Sequence, residues 1–320
     1  MSRVAEQQLV DVVVVGADGS WQSQRAVEAA AREARLRGRP LAVLTLARAR
    51  PMGSTLSAQV EAERQALSYA VAIAARARDV AERTCPDVVV ETVVAASVAD
   101  PEVERLADRA GLLVLGGHGS GGEVAFSIGS TSGDLARRFR VPILLPQAQV
   151  HVAGAGAAGS PVREKSRHGE PAPHEPEVLV GLNRGGDSVD MLLLAVAEAG
   201  LRGAALRVVR ALPATSPASD LQGEVHRVWA ALRPLLASSS VPCRVEVVHG
   251  DPVGSLRDRC RPGDLVVVGT RGGGTLAGLV DGSVARRVLD GLACDTLVVP
   301  HRAPVDAGSA PPVAAPAHQA

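Results

Sequence analysis

Residues 112–130 read LLVLGGHGSGGEVAFSIGS, and residues 265–283 read LVVVGTRGGGTLAGLVDGS. In each stretch an apolar, strand-like run ends on a glycine. A second glycine follows after two residues, and Gly-Ser after nine more, just before a helical stretch. A single copy is no more than a glycine-rich turn, but the same register kept twice in the same context marks a duplicated loop. Each copy leaves the carboxyl end of a strand, where open α/β sheets bind ligands. Each also delivers the chain to a helix N-terminus, whose unpaired amides attract phosphate. Gly116, Gly119 and Gly129, with Gly269, Gly272 and Gly282, let the backbone turn and approach a ligand with no Cβ in the way. The alternative is that they only shape tight turns.

Outward from these loops, apolar runs alternate with helical stretches. In the first half the strands are Leu9 to Gly16, Leu41 to Ala47, Val88 to Val94, the run into the loop, and Val141 to Leu145. In the second they are Val178 to Leu182, Ala205 to Ala211, Cys243 to Val248, Leu265 to Gly269 and Thr296 to Val299. Helices are expected between them, among them Ser20 to Arg37, Ser57 to Arg83, Val253 to Cys260, and Ser283 to Leu289 after the second loop. Near-continuous apolar strands separated by helices argue for parallel sheets covered on both faces. The expected fold class is α/β: two tandem five-stranded parallel-sheet sandwiches with helices on both faces, Rossmann-like. Residues 1–147 and 176–302 are the two domains, joined by a flexible linker at 148–175 and followed by a disordered tail at 303–320. The final strands of the two halves are apolar edges that need covering, by each other or by another chain.

The loop pattern resembles the ATP-binding signature of the universal stress protein family, whose tandem members carry two such domains. The first strand ends in Val15-Gly16-Ala17-Asp18-Gly19-Ser20, which matches the family's Val-Gly-x-Asp-Gly-Ser stretch in full. The resemblance implies an adenine nucleotide α-hydrolase-like fold and a regulatory ATP-binding protein of the stress response, with Mg2+ accompanying the nucleotide. It also implies roles in site one. Asp18 contacts the nucleoside, and Leu46 stands where family members touch the base through backbone groups. Gly116 and Gly119 close the loop on ribose and phosphates, and Gly129, Ser130 and Ser132 hold the phosphates. Ser130 reads equally as a helix N-cap, and Asp18 as a turn-former.

Site two keeps Gly269, Gly272, Gly282 and Ser283, but Asn183 replaces the acid and Ala285 stands where the first copy has Ser132. Asn183 still offers donor and acceptor to a ribose, so weaker binding is expected there rather than loss. The second half keeps the family's Gly-x-Pro turn at Gly250-Asp251-Pro252, whereas the first half has Ala99-Asp100-Pro101. His118 and Arg271 hold the same loop position, as phosphate contacts or as solvated side chains.

Composition narrows the remaining classes. Formal charge is zero and aromatic residues make up 2%, so neither an electrostatic field nor a stacking platform recruits nucleic acid. No apolar stretch approaches the roughly 20 residues of a membrane helix, and no signal peptide is recognisable, so a cytoplasmic protein without membrane association is expected. Lys165 is the only lysine and falls in the linker, which removes P-loop and Schiff-base lysines from both domains. Cys85, Cys243, Cys260 and Cys294 show no CxxC spacing and are read as reduced thiols. His168, His174 and His318 are read as solvated. The expectation is therefore a nucleotide sensor with no catalytic residues, no resident protein-bound metal and at most slow ATP hydrolysis. Its two halves should form an internal pseudo-dimer, and pairing with a second copy is left open. The alternatives are an adenine-nucleotide-dependent hydrolase or transferase with real turnover, and a nucleotide-free scaffold.

Overall fold

The computed structural model describes residues 12–49, 55–117, 130–147, 174–182, 188–269, 292 and 294–300. In chain order the first half contains β1 (Val12–Gly16), α1 (Trp21–Arg37), β2 (Leu41–Leu46), α2 (Leu56–Thr84), β3 (Val90–Ala95), α3 (Pro101–Arg109), β4 (Ala110–Val114), α4 (Ser130–Arg138) and β5 (Ile143–Leu145). The second contains β6 (Glu177–Leu182), α5 (Ser188–Arg202), β7 (Ala205–Leu212), α6 (Ala218–Leu236), β8 (Cys243–His249), α7 (Pro252–Arg257), β9 (Leu265–Gly269) and β10 (Asp295–Val299). The expected helix Ser283 to Leu289, residues 148–173 of the expected linker 148–175, and the tail 303–320 lie outside the described residues.

Local chemistry sets the helix ends. Ser20 caps α1 by accepting from Ser23 N at 3.1 Å, and Gly38 closes it in the left-handed conformation at φ 61°. Asp100 and Asp251 cap α3 and α7, each followed by proline at the first helical position. Gly250, before the second of these caps, has φ 128°, a conformation open to glycine and strained for the alanine in the first half. The expected helix Val253 to Cys260 is shorter than its sequence suggested. It stops at Arg257, and an Arg261-Pro262-Gly263 turn then leads into β9.

The two expected sandwiches are one ten-stranded sheet in the order β3-β2-β1-β4-β5-β10-β9-β6-β7-β8. Every pairing is parallel except β5 with β10, which is antiparallel. The two apolar edges cover each other, joining the halves. Leu144 faces Leu297 at the middle of this seam, flanked by Ile143–Val298 and Leu145–Thr296, so an approximate two-fold axis passes through the central leucine pair. α1, α2, α5 and α6 cover one face, over a core that includes Val13, Val15, Leu41, Val178, Val180 and Leu206. α3, α4 and α7 cover the other, over Val14, Leu44, Leu113, Leu179 and Val266. The α1 side is built on small residues: Ala26, Ala29, Ala30, Ala31 and Ala34 are all buried, which brings the helix backbone close to the sheet.

A second duplicated motif emerges at the two-fold. α1 ends in Glu33-Ala34-Arg35-Leu36-Arg37-Gly38, and α5 in Glu198-Ala199-Gly200-Leu201-Arg202-Gly203. The two acids and two arginines form a closed ring across the halves. Arg37 bonds Glu33 at 3.0 Å and Glu198 at 2.8 Å, and Arg202 bonds both glutamates in turn. Burial alone would push the Arg37 guanidinium down, but Glu198 and Glu33 outweigh it and hold it above its ordinary value.

Candidate functional site

β1 lies between β2 and β4 in the sheet. From β1 the chain goes to α1 on one face, and from β4 it reaches α4 on the other. The two strands therefore part at their carboxyl ends, and the crevice between them is a topological switch point, where open α/β sheets bind ligands. The same strand order recurs around β6, which lies between β7 and β9.

Asp18 stands at the first crevice, two residues past β1. Its Oδ1 accepts from Ser20 N at 2.9 Å. Partial burial raises its pKa, but hydrogen bonds from Ser20, side chain and backbone, and from the Ser23 side chain outweigh this and hold it below the usual carboxylate value. An ionised, acceptor-only group thus sits exposed at the strand end. The bond to Ser20 N is the turn-forming role, and it leaves the carboxylate pointing outward from the same turn that starts α1.

Leu46 closes β2 and is partly buried against the core. Two residues on, Arg48 reaches α4 and bonds Asp134 at 2.7 Å, and Arg137 bonds the same carboxylate at 2.9 Å. The Arg137 and Arg48 hydrogen bonds hold Asp134 below the usual carboxylate range. This clamp fixes the β2 exit against the helix that follows the glycine loop. Sequence reasoning missed it, because residues 86 apart carry no spacing signal. Arg138 pairs with Glu104 of α3 at 2.8 Å.

Gly116 has a reason to be glycine that involves no ligand. A Cβ there would lie 2.8 Å from the Gln22 carbonyl carbon and oxygen and 3.0 Å from Ser23 N, so strand and helix backbones already touch. Gly269 is looser, since a Cβ would meet Met191 Sδ at 3.3 Å. Ser132 lies in the first turn of α4 and is partly buried. Ser130 is the first residue of that helix, its side chain outside the described set. Gly119, Gly129, His118, Asn183, Gly272, Gly282, Ser283, Ala285 and Arg271 also lie outside the described residues. The structure therefore brings together Asp18, Leu46, Gly116 and the start of α4 at site one, and Gly269 with the end of β6 at site two.

Two readings need correction. His174, expected to be solvated, lies with Nε2 2.7 Å from Asp264 Oδ1. Asp264 is fully buried, and it also accepts from Glu177 N and Arg261 N, each at 2.8 Å. It thereby staples the start of β6 to the turn before β9. The cysteines are not all thiols: Cys260 and Cys294 form a disulfide, while Cys85 and Cys243 are free. The 34-residue separation disguised the pair, which meets because β10 returns beside the segment that leaves α7. Among the described residues no helix is long and apolar enough to cross a membrane.

The strand order on either side of the seam, repeated in both halves, defines a tandem doubly wound α/β protein. The profile of the universal stress protein family matches residues 10–145 and 176–300. A universal stress protein of Mycobacterium tuberculosis is 31% identical over 296 residues, covering 87% of this chain and 92% of its own length. A second from that organism is 29% identical over 300 residues, covering 86% and 92%. The chain belongs to the universal stress protein family. The fold is shared with a universal stress protein of Archaeoglobus fulgidus at a TM-score of 0.59 and 14% identity, covering 90% of this chain and 96% of that one. A Pseudomonas aeruginosa protein matches at a TM-score of 0.50 and 18% identity, covering 92% and 94%.

Proposed function

We propose that the chain binds an adenine nucleotide, ATP with Mg2+ as the working ligand, in the first half and more weakly in the second. Occupancy is read by a partner in the stress response, in the cytoplasm, rather than consumed by rapid turnover. The observation that supports this best is the first switch-point crevice, with an ionised Asp18 at one lip and a duplicated glycine motif leaving the other. The Asp18 carboxylate accepts hydrogen bonds from ribose hydroxyls or the base. Gly119 and Gly129 admit the backbone to the phosphates, while Ser130, Ser132 and the amides at the start of α4 donate to them. Magnesium, when bound, would neutralise phosphate oxygens. In the second half Asn183 offers one neutral contact where the first has a charged one, and Ala285 offers none. A difference of about 1–3 kcal/mol, roughly tenfold to a hundredfold in affinity, follows.

Slow turnover follows from the side chains available. Neither half contains a lysine to stabilise a leaving phosphate, and phosphoryl transfer depends on such charge. The test is a calorimetric titration of nucleotide-stripped protein with ATP and magnesium. Two unequal sites are expected, and no binding would overturn the reading. Hydrolysis at saturating ATP that reached the 1–100 s⁻¹ scale typical of kinases would replace the sensor with an enzyme.

A further inference from the structure

The two halves differ at one corner that neither the nucleotide sites nor the seam accounts for. Cys260 follows the last turn of α7 and is bonded to Cys294, directly before β10, with Cα atoms 6.6 Å apart. The stretch Leu256-Arg257-Asp258-Arg259-Cys260 aligns with Leu106-Ala107-Asp108-Arg109-Ala110. Ile143 and Thr296 pair with the equivalent residues Leu113 and Val266, so counting back two residues from each puts Val141 where the second half has Cys294. In the first half, then, Ala110 is buried and Val141 packs against the same apolar layer. At that corner the first half has two apolar side chains in one layer and no covalent bond between them.

The two sulfurs are unequally accessible. Cys294 is 2% exposed, whereas Cys260 is only partly buried. Of the two free cysteines, Cys85 is buried, and burial pushes the Cys243 thiol up to about 11, which leaves both poor nucleophiles. Cys294 also adjoins Asp295, the first residue of β10, whose Oδ1 accepts from Gln147 N of the first half at 3.0 Å. The disulfide thus joins α7 to the strand through which the halves meet.

We propose that Cys260–Cys294 is a thiol–disulfide exchange site for a low-molecular-weight thiol and its disulfide, and that the oxidised state fastens β10 to the helix layer of the second half. In reduction, the small thiolate attacks Sγ of Cys260. The Cys260–Cys294 bond breaks, and Cys294 leaves as a thiolate and takes a proton. A second small thiolate then attacks the small-molecule sulfur of the mixed disulfide, releasing Cys260 as a thiolate that is protonated in turn. The protein gains two electrons and two protons, and two small thiols become one small disulfide. Oxidation is the reverse.

The intact chain, equilibrated natively with oxidised or with reduced glutathione, quenched and unfolded, is labelled with a maleimide to count thiols. Two labels are expected after oxidised glutathione and four after reduced glutathione. Reduction should lower the melting temperature by on the order of 10 °C, since it reopens a loop of more than thirty residues, and should speed amide exchange at Thr296, Leu297 and Val298. The variant Cys260→Ala with Cys294→Val installs the first half's pair. It should fold, melt like the reduced protein and ignore glutathione. Four labels under oxidised glutathione, two that survive reduced glutathione, or a double variant that melts like the oxidised protein would each overturn the proposal.

Discussion

Replacing Glu198 with glutamine should strongly destabilise the protein, although Glu198 touches neither nucleotide site. Its side chain is 3% exposed, and its carboxylate bonds Arg37 and Arg202 together. The other three members of the ring, Glu33, Arg37 and Arg202, are 12%, 14% and 18% exposed. The intact ring holds two acids and two arginines and is neutral. Glu198→Gln leaves two guanidiniums facing a single carboxylate, a net positive charge in a nearly dry contact between α1 and α5. Breaking one partner of a buried pair costs about 3–5 kcal/mol. For a domain of this size each kcal/mol moves the melting temperature by about 2–4 °C, so a loss of about 10 °C is expected by calorimetry or circular dichroism. Added salt should recover little of it, because buried pairs are weakly screened. Replacing all four members with apolar residues of similar volume should cost less than the single change, since no charge is then stranded. A shift below about 2 °C for Glu198→Gln, or a fourfold apolar variant that melts lower than it, would refute the reasoning and assign the seam to its strands alone.

Asp18→Ala should weaken nucleotide binding about tenfold to a hundredfold in titration, with little change in melting temperature; unchanged affinity would remove Asp18 from the site. Gly119→Ala should weaken binding in a chain that stays folded, with Gly272→Ala doing so by less. Gly116→Ala should instead lower stability by about 1–3 kcal/mol, because its methyl must enter the α1 backbone, and a variant that melts like the parent would contradict that contact. Asp295 is the pH probe. Burial raises its pKa above 3.8; the hydrogen bond from Gln147 N opposes this, Glu33 adds to the rise, and Arg32 and Arg202 oppose it more weakly, leaving a net upward shift. Between 3.8 and the raised folded value the native state holds the extra proton, so this carboxyl's contribution to stability falls as pH rises through that window. Asp295→Asn should therefore raise the melting temperature at pH 7, and the gain should vanish below pH 3.8; a destabilised variant at pH 7 would reverse the sign.

Most of the fold was legible because strand and helix periodicities differ and because the pattern is written twice. Ten strands fell where apolar runs predicted them, with ends shifted by a few residues. The glycine register pointed to the ends of β4 and β9, and the Asp18 turn was legible because it is local. What stayed hidden was tertiary. The apolar character of the last strands said that they needed a partner, but their antiparallel choice of each other is a property of the folded pair. Cys260 and Cys294, Arg48 and Asp134, and His174 and Asp264 are each brought together by the sheet order, which no local spacing encodes. The Glu-Ala-x-Leu-Arg-Gly repeat is a different kind of omission. It was visible at the ends of two expected helices, but a charged helix end is ordinarily solvated, and only the crossing of α1 and α5 shows what the second copy is for.

The antiparallel seam also decides which way the halves look. Five strands run one way and five the other, so the carboxyl rims that carry the two crevices lie on opposite edges of the same sheet. A ligand in one crevice cannot touch a ligand in the other, and a flat partner that docks on one rim meets only the amino ends of the other half's strands. The chain is in effect two-headed, with the strand ends of its two halves facing opposite ways.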